Sequence, residues 1–382
     1  MQSRHQTHPT ICMFGGVEHG KTTLATAILK VVRHIGSIEV TSTQFQEMEP
    51  TAYPVIDQLA TLFRTAEFET SRKHYRLIDS QSHVDLIKAI IGHSPKIQAA
   101  ILVVSATDGV TKEILEQIQL ANQIGIRIIF PFLNKVNMTE DPELLEMCQD
   151  EIEELLTKYG HAAQKRPSVI IGDAAKALEY KGQNLGAADW QPIVDLIFSL
   201  AQHTLDPILP SELIIPISKV LEEKKGVTTI QGEKLQGQLA IGQNIDIVGK
   251  GDRIQTRCVG YNQAKIQVDA EPDWITAGQV VSSPKQIRSY NQFKAAIYLM
   301  TVEECGIHMP IVGNDKPDIH LWTIDVGGHI MLPLGTAIVN PGEHATVSIE
   351  LEIPMAIQIG TRFEIKKTEQ LIGIGTVTEI IQ

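Results

Sequence analysis

At 382 residues, with 43% hydrophobic and 20% charged side chains, the chain has the composition of a folded protein with room for two or three separate cores, and it excludes general disorder. A formal net charge of −12 argues against a surface that grips nucleic acid everywhere, though it leaves room for a local basic face. No apolar run reaches bilayer-spanning length, the N-terminus lacks a basic-then-apolar leader, and Cys12, Cys148, Cys258 and Cys305 have no paired spacing, so the expectation is a cytoplasmic protein with reduced thiols and no membrane contact.

The most informative stretch comes first, at residues 10–24. A short apolar run, Ile11–Phe14, meets a glycine-rich turn and then a helical pattern, and Gly15, four residues, Gly20, Lys21 and Thr22 fit G-x-x-x-x-G-K-[ST]. The glycines let successive backbone N–H groups face phosphate oxygens. Lys21 then supplies a point charge for the outer phosphates, and the Thr22 hydroxyl a hard oxygen for Mg²⁺.

Residues 35–69 are irregular and read as a mobile segment beside a nucleotide. Further strands are expected at Tyr75–Ile78, Ala100–Val104, Ile126–Phe130 and Ser168–Ile171, alternating with helices, which predicts a mainly parallel sheet covered on both faces. The best-marked helix starts at N-cap Asp141 with Pro142 in its first turn, ends at Gly160, and carries Leu145, Cys148, Ile152, Leu155 and Tyr159 on one stripe. Pro207 and Pro210 mark a linker. From Leu213 onward short β-branched runs punctuated by glycine replace the helical periodicity, and Val347, Ile349, Leu351 and Ile353 alternate with Ser348, Glu350 and Glu352. This predicts one large or two small antiparallel β-barrels, divided near Tyr290.

On these residues the chain resembles the elongation factor Tu family. Gly15-Gly-Val-Glu-His-Gly-Lys-Thr-Thr-Leu24 is similar to that family's phosphate loop, residues 100–109 to its following strand and turn, and Phe132-Leu-Asn-Lys-Val-Asn137 stands at its guanine-reading motif. Pro317 to Pro333 and Val339-Asn-Pro-Gly342 resemble its third domain. The resemblance implies an α/β P-loop GTPase domain at 1–206 and two β-barrel domains at 207–289 and 290–382. It implies GTP or GDP with Mg²⁺ as ligands, held by Gly15, Gly16, Val17, Glu18, His19, Gly20, Lys21, Thr22, Thr23 and Asp79. Thr22 and Asp79 would face the metal, and His83 matches the histidine that orients the attacking water.

Several positions depart from the family pattern. The glycine of D-x-x-G is Ser82, for which the φ > 0 states of a pivoting backbone are costly, so switching is expected to be blunted. The aspartate of N-K-x-D is Asn137, which puts a donor opposite a base donor and predicts looser guanine selectivity. Asn134 is expected to tie the phosphate and base loops together, and Lys135 to pack on the base. Asp173, Ala174 and Ala175 form the second base loop, with the Ala174 N–H offered to the base. The switch threonine that contacts Mg²⁺ is assigned to Thr61. Ile217-Ser-Lys-Val-Leu221 replaces the acidic residues and phenylalanine near the aminoacyl group, and Lys88 is placed for an RNA backbone contact.

Two functional readings follow from the resemblance. One is a monomeric translational GTPase that binds aminoacyl-tRNA and the ribosome, with a nucleotide exchange factor as a further partner and no DNA. The other is a divergent nucleotide-binding protein with weakened base specificity and switching, docking on tRNA, the ribosome or a protein.

Overall fold

A computed structural model describes residues 9–35, 63–69, 74–80, 82–93, 97–123, 126, 128–139, 141–160, 167–182, 184–203, 205, 213–224, 226–262 and 264–381. They fall into two compact units, Met1–Ile208 and Leu209–Gln382.

The first unit is built on a sheet of six strands among the described residues, in the order β2-β3-β1-β4-β5-β6. They are β1 (Thr10–Phe14), β2 (Phe63–Glu69), β3 (His74–Ser80), β4 (Ile97–Ser105), β5 (Ile128–Asn134) and β6 (Ile170–Ile171). β2 runs antiparallel to β3, while the other pairs are parallel. Every residue of β1 is buried, which is why its sequence is a continuous apolar run and not an alternating one. The helices are α1 (Lys21–Ile35), α2 (His83–His93), α3 (Lys112–Gln123), α4 (Pro142–Lys158), α5 (Ala174–Glu179) and α6 (Gln191–Gln202).

The sequence places most of these elements, with three corrections. β6 holds only Ile170–Ile171 of the expected Ser168–Ile171. β5 spans Ile128–Asn134, so it shares Ile128–Phe130 with the expected strand but starts two residues later and runs on to Asn134. Part of the segment read as irregular is β2, an edge strand whose charged Glu67 pairs with Arg76 across the ladder at 2.9 Å. The rest of that segment, including Thr61, lies outside the described residues. Helix α4 begins as its sequence demands, with the Asp141 carboxylate accepting from the N–H of Glu143 at 3.0 Å and Gly160 taking φ 88° just past its end. Cys148, Ile152, Leu155 and Leu156 form its buried stripe.

The second unit holds two closed antiparallel barrels. The first joins β7 (Ile214–Lys224), β8 (Val227–Gly232), β9 (Asn244–Val248), β10 (Ile254–Asn262), β11 (Lys265–Val268) and β12 (Val280–Ser282). β13 (Arg288–Leu299), which opens the second barrel, begins just before Tyr290. After the short β14 (Ile311–Val312) come β15 (Asp318–Leu321) and β16 (Ile324–Met331), then β17 (Ile338–Val339), which pairs with β14, and finally β18 (His344–Ile357), β19 (Arg362–Lys367) and β20 (Gln370–Ile380). On β18, Val347, Ile349 and Leu351 are buried and Glu352 is exposed, the alternation visible in the sequence.

Closure leaves neither sheet an open edge. The barrels meet at an apolar seam of Ile214, Val248, Val280, Ile287 and Ala356, against which Trp322 packs. Polar bonds flank it: Thr323 Oγ1 donates to the Ile217 carbonyl at 2.7 Å and accepts the Gly278 N–H at 3.0 Å, and Ser289 donates to the Gly249 carbonyl at 2.9 Å.

Candidate functional site

The site forms where β1 ends and α1 begins. Gly15 takes φ 142°, and a Cβ there would lie 2.3 Å from the Val103 carbonyl oxygen; Gly20 takes φ 91°, and a Cβ there would lie 2.3 Å from Asn134 Nδ2. The backbone curls closely only because both positions lack side chains. Glu18, at φ 62°, accepts the left-handed region without that freedom. Val17 is exposed at the loop's tip.

Lys21 is buried, and its Nζ donates to the carbonyls of Gly15 at 3.0 Å and Gly16 at 2.8 Å. Burial pulls its pKa below the ordinary lysine value, while the charges of Asp79 and Glu113 hold it up. Thr22 Oγ1 donates to Asp79 Oδ2 at 2.7 Å, joining the first turn of α1 to β3. Thr23 follows on the same turn.

These features fit a nucleotide phosphate with a hard cation. The loop is open to close approach, its lysine faces the curl, and a hydroxyl and a carboxylate converge on one spot. Among the described residues no group of three His, Cys, Asp or Glu side chains could hold a metal alone.

His19 is 2% exposed, with Nδ1 accepting the Ser105 N–H at 3.1 Å and Nε2 4.0 Å from Asp108 Oδ2. An accepting Nδ1 places the neutral ring's proton on Nε2. Burial lowers the His19 pKa from its ordinary 6.5. Hydrogen bonds from Ser105 and Thr107 and the nearby His19 and Lys135 hold the Asp108 carboxyl below its own usual value.

Asn134, 2% exposed at the end of β5, connects the two loops. Its Nδ2 donates to the His19 carbonyl at 2.9 Å, and its Oδ1 accepts the Ala174 N–H at 3.0 Å. This corrects the reading that gave the Ala174 N–H to the base, since that N–H is donated to Asn134. Asp173 caps α5 by accepting the Lys176 N–H at 2.9 Å, and Ala175 is exposed on the first turn. Lys135 takes the left-handed conformation, φ 61° and ψ 30°, and turns the chain into a 3₁₀ turn on which Asn137 is exposed.

Beyond Asp79, Ser82 caps α2. Its hydroxyl donates to Asp85 Oδ2 at 2.6 Å and accepts the Asp85 N–H at 3.1 Å. His83 is the first residue of α2, and its side chain lies outside the described part. Lys88, read as an RNA contact, is 5% exposed with its Nζ 3.6 Å from Asp85, so its charge is directed into the protein.

Three residues at the site escape a motif reading. Gln117 and Glu113 of α3 bond the main chain of Gly15 and Val17. Lys30 of α1 reaches the carbonyls of Leu178 and Tyr180 at the end of α5, at 2.5 and 2.7 Å, beneath the Trp190 ring. Gln117 leaves one trace in the sequence, an amide on the same helical face as Ile114, Ile118 and Ala121.

Residues 6–211 match the family model for the elongation factor Tu GTP binding domain. Residues 286–381 match that for the elongation factor Tu C-terminal domain. The first match alone spans more than half of the chain and includes the phosphate loop, Asp79 and Asn134; the chain belongs to the elongation factor Tu family of translational GTPases, and guanine nucleotide is the ligand its first domain is built to bind.

Proposed function

We propose that the protein binds GTP with Mg²⁺, associates with aminoacyl-tRNA, and hydrolyses the γ-phosphate on the ribosome during elongation. The observation that carries this reading is the buried bridge from His19 through Asn134 to Ala174, which ties the phosphate loop to the start of α5. Fixed donors lose no ordering entropy when a nucleotide enters.

Lys21 and the loop N–H groups are assigned to the β and γ phosphates, and Thr22 with Asp79 to Mg²⁺, with Thr61 as the switch threonine. The bound metal would neutralise charge on the phosphates. His83 is assigned to orient the attacking water. The water oxygen bonds to the γ-phosphorus as the bridge to the β-phosphate breaks, giving GDP and phosphate.

For the tRNA end, support comes from a cleft on the first barrel lined by Leu221, Thr229, Tyr261, Asn262, Lys265 and Gln267. An aromatic ring, two amides and a lysine suit stacking and hydrogen bonding of an unpaired terminal nucleotide.

The test has two stages. Calorimetry with Mg²⁺ should detect GTP binding that Lys21→Ala abolishes, and no heat with any purine triphosphate would end the proposal. Single-turnover hydrolysis with ribosomes should then slow in His83→Ala; hydrolysis at the parent rate would remove His83 from its role. A second reading, a nucleotide-holding module with a blunted switch, is favoured by the Ser82 cap and by Asn137. Guanine nucleotide bound with no affinity for aminoacyl-tRNA would select it.

A further inference from the structure

Helix α3 places two side chains, four residues apart on one face, against the main chain of the phosphate loop. Gln117, fully buried, accepts the Gly15 N–H at 2.8 Å and donates to the Gly15 carbonyl at 3.3 Å. This two-point amide contact fixes the helix to the start of the loop. One turn earlier, Glu113 Oε2 accepts the Val17 N–H at 3.3 Å.

We propose that Glu113 is a specificity-determining residue, a built-in competitor for the outermost phosphate that biases the site toward guanosine diphosphate over triphosphate. The inference rests on the guanine-nucleotide reading of the loop.

A nucleotide phosphate is recognised by the same kind of group that Glu113 already engages, a main-chain N–H of the loop. Both nucleotides displace some of this interaction. The triphosphate alone brings a further phosphate, with its added negative charge, into the field of the carboxylate, and like charges at short range repel. Glu113 is only partly buried, so the repulsion is screened by salt. The simpler role of an acidic residue in a helix's first turn is to favour the positive end of the helix dipole. That role affects stability alone and leaves the choice between nucleotides untouched.

The experiment measures equilibrium binding of fluorescent GDP and of a fluorescent non-hydrolysable GTP analogue to the full chain with Mg²⁺, at low and at high KCl. Glu113→Gln keeps an acceptor for the Val17 N–H and removes the charge. It should shift the ratio of the two dissociation constants about tenfold toward the triphosphate at low salt. The shift should shrink at high salt, and Glu113→Lys should move the ratio further in the same direction. A ratio within about twofold of the parent's in both variants overturns the proposal, whether or not thermal stability changes. If the parent binds neither nucleotide, the reading beneath the proposal fails and takes it along. That outcome differs from an unchanged ratio because it is visible before any variant is made.

Discussion

Ser82 and Asp85 bond each other twice: the serine hydroxyl donates to the carboxylate at 2.6 Å, and the Asp85 N–H is donated back to the same hydroxyl at 3.1 Å. At the position where the family's D-x-x-G ends in glycine, the chain therefore has an N-cap that fastens the start of α2. Ser82→Ala should cost about 1 kcal/mol and speed amide exchange in the first turn of α2, whereas Ser82→Gly should cost only a few tenths. With the pivot restored, Ser82→Gly should also enlarge the difference in α2 exchange between GDP and GTP-analogue states. Equal differences in parent and variant would show that the cap does not restrain the segment.

Asn134→Ala should leave the His19 carbonyl and the Ala174 N–H buried without their bridge. Each orphaned group costs about 1–3 kcal/mol, so thermal unfolding should move down by several degrees and nucleotide release should accelerate. Asn134→Asp keeps an acceptor for Ala174 but loses the donor to His19, and should fall between parent and alanine variant.

Asn137 is exposed on its 3₁₀ turn, so replacing it does not disturb the core. Asn137→Asp supplies two acceptors for the guanine edge. It should raise selectivity for GTP over XTP by about 1–3 kcal/mol in competition binding, with little change in stability. No gain in selectivity would mean that another group reads that edge.

His19 gives the fold an acid-sensitive element. Its pKa is depressed by burial below 6.5, so between that value and the folded-state pKa the unfolded chain binds more protons than the native one. The sign follows from linkage: stability is fully present above pH 6.5, declines as pH falls toward the depressed value, and levels off below it. Denaturant midpoints measured from neutral to mildly acid pH should show this slope. His19→Asn, whose amide oxygen can take the place of Nδ1 before the Ser105 N–H, should flatten it. Asp108, also held below its ordinary value, contributes the same sign only at more acid pH.

The sequence disclosed those parts of the site that depend on local chemistry. The apolar run of β1, the glycines of the loop and the Asp141 cap are each determined within a few residues, and the bridging role of Asn134 follows from its motif. What stayed hidden depends on partners distant in the chain. β2 reads as irregular because Arg64, Glu67 and Glu69 break its apolar pattern, and only pairing with β3 makes it a strand. Lys88 reads as an RNA backbone contact until Asp85 and its own long aliphatic stem account for its burial. The Ala174 N–H goes to a side chain 40 residues away, a separation no spacing rule anticipates.

The seam between the barrels has a mechanical consequence. Thr323 reaches across it to both β7 and the turn before β12, and a Cβ at Gly278 would lie 2.4 Å from Ile324 Cδ1, leaving little room for one barrel to slide over the other. Residues 213–381 should therefore behave as a single stiff arm, in which a push on either barrel is passed undiminished to its neighbour. Amides flanking the seam should open to exchange together and not one barrel at a time.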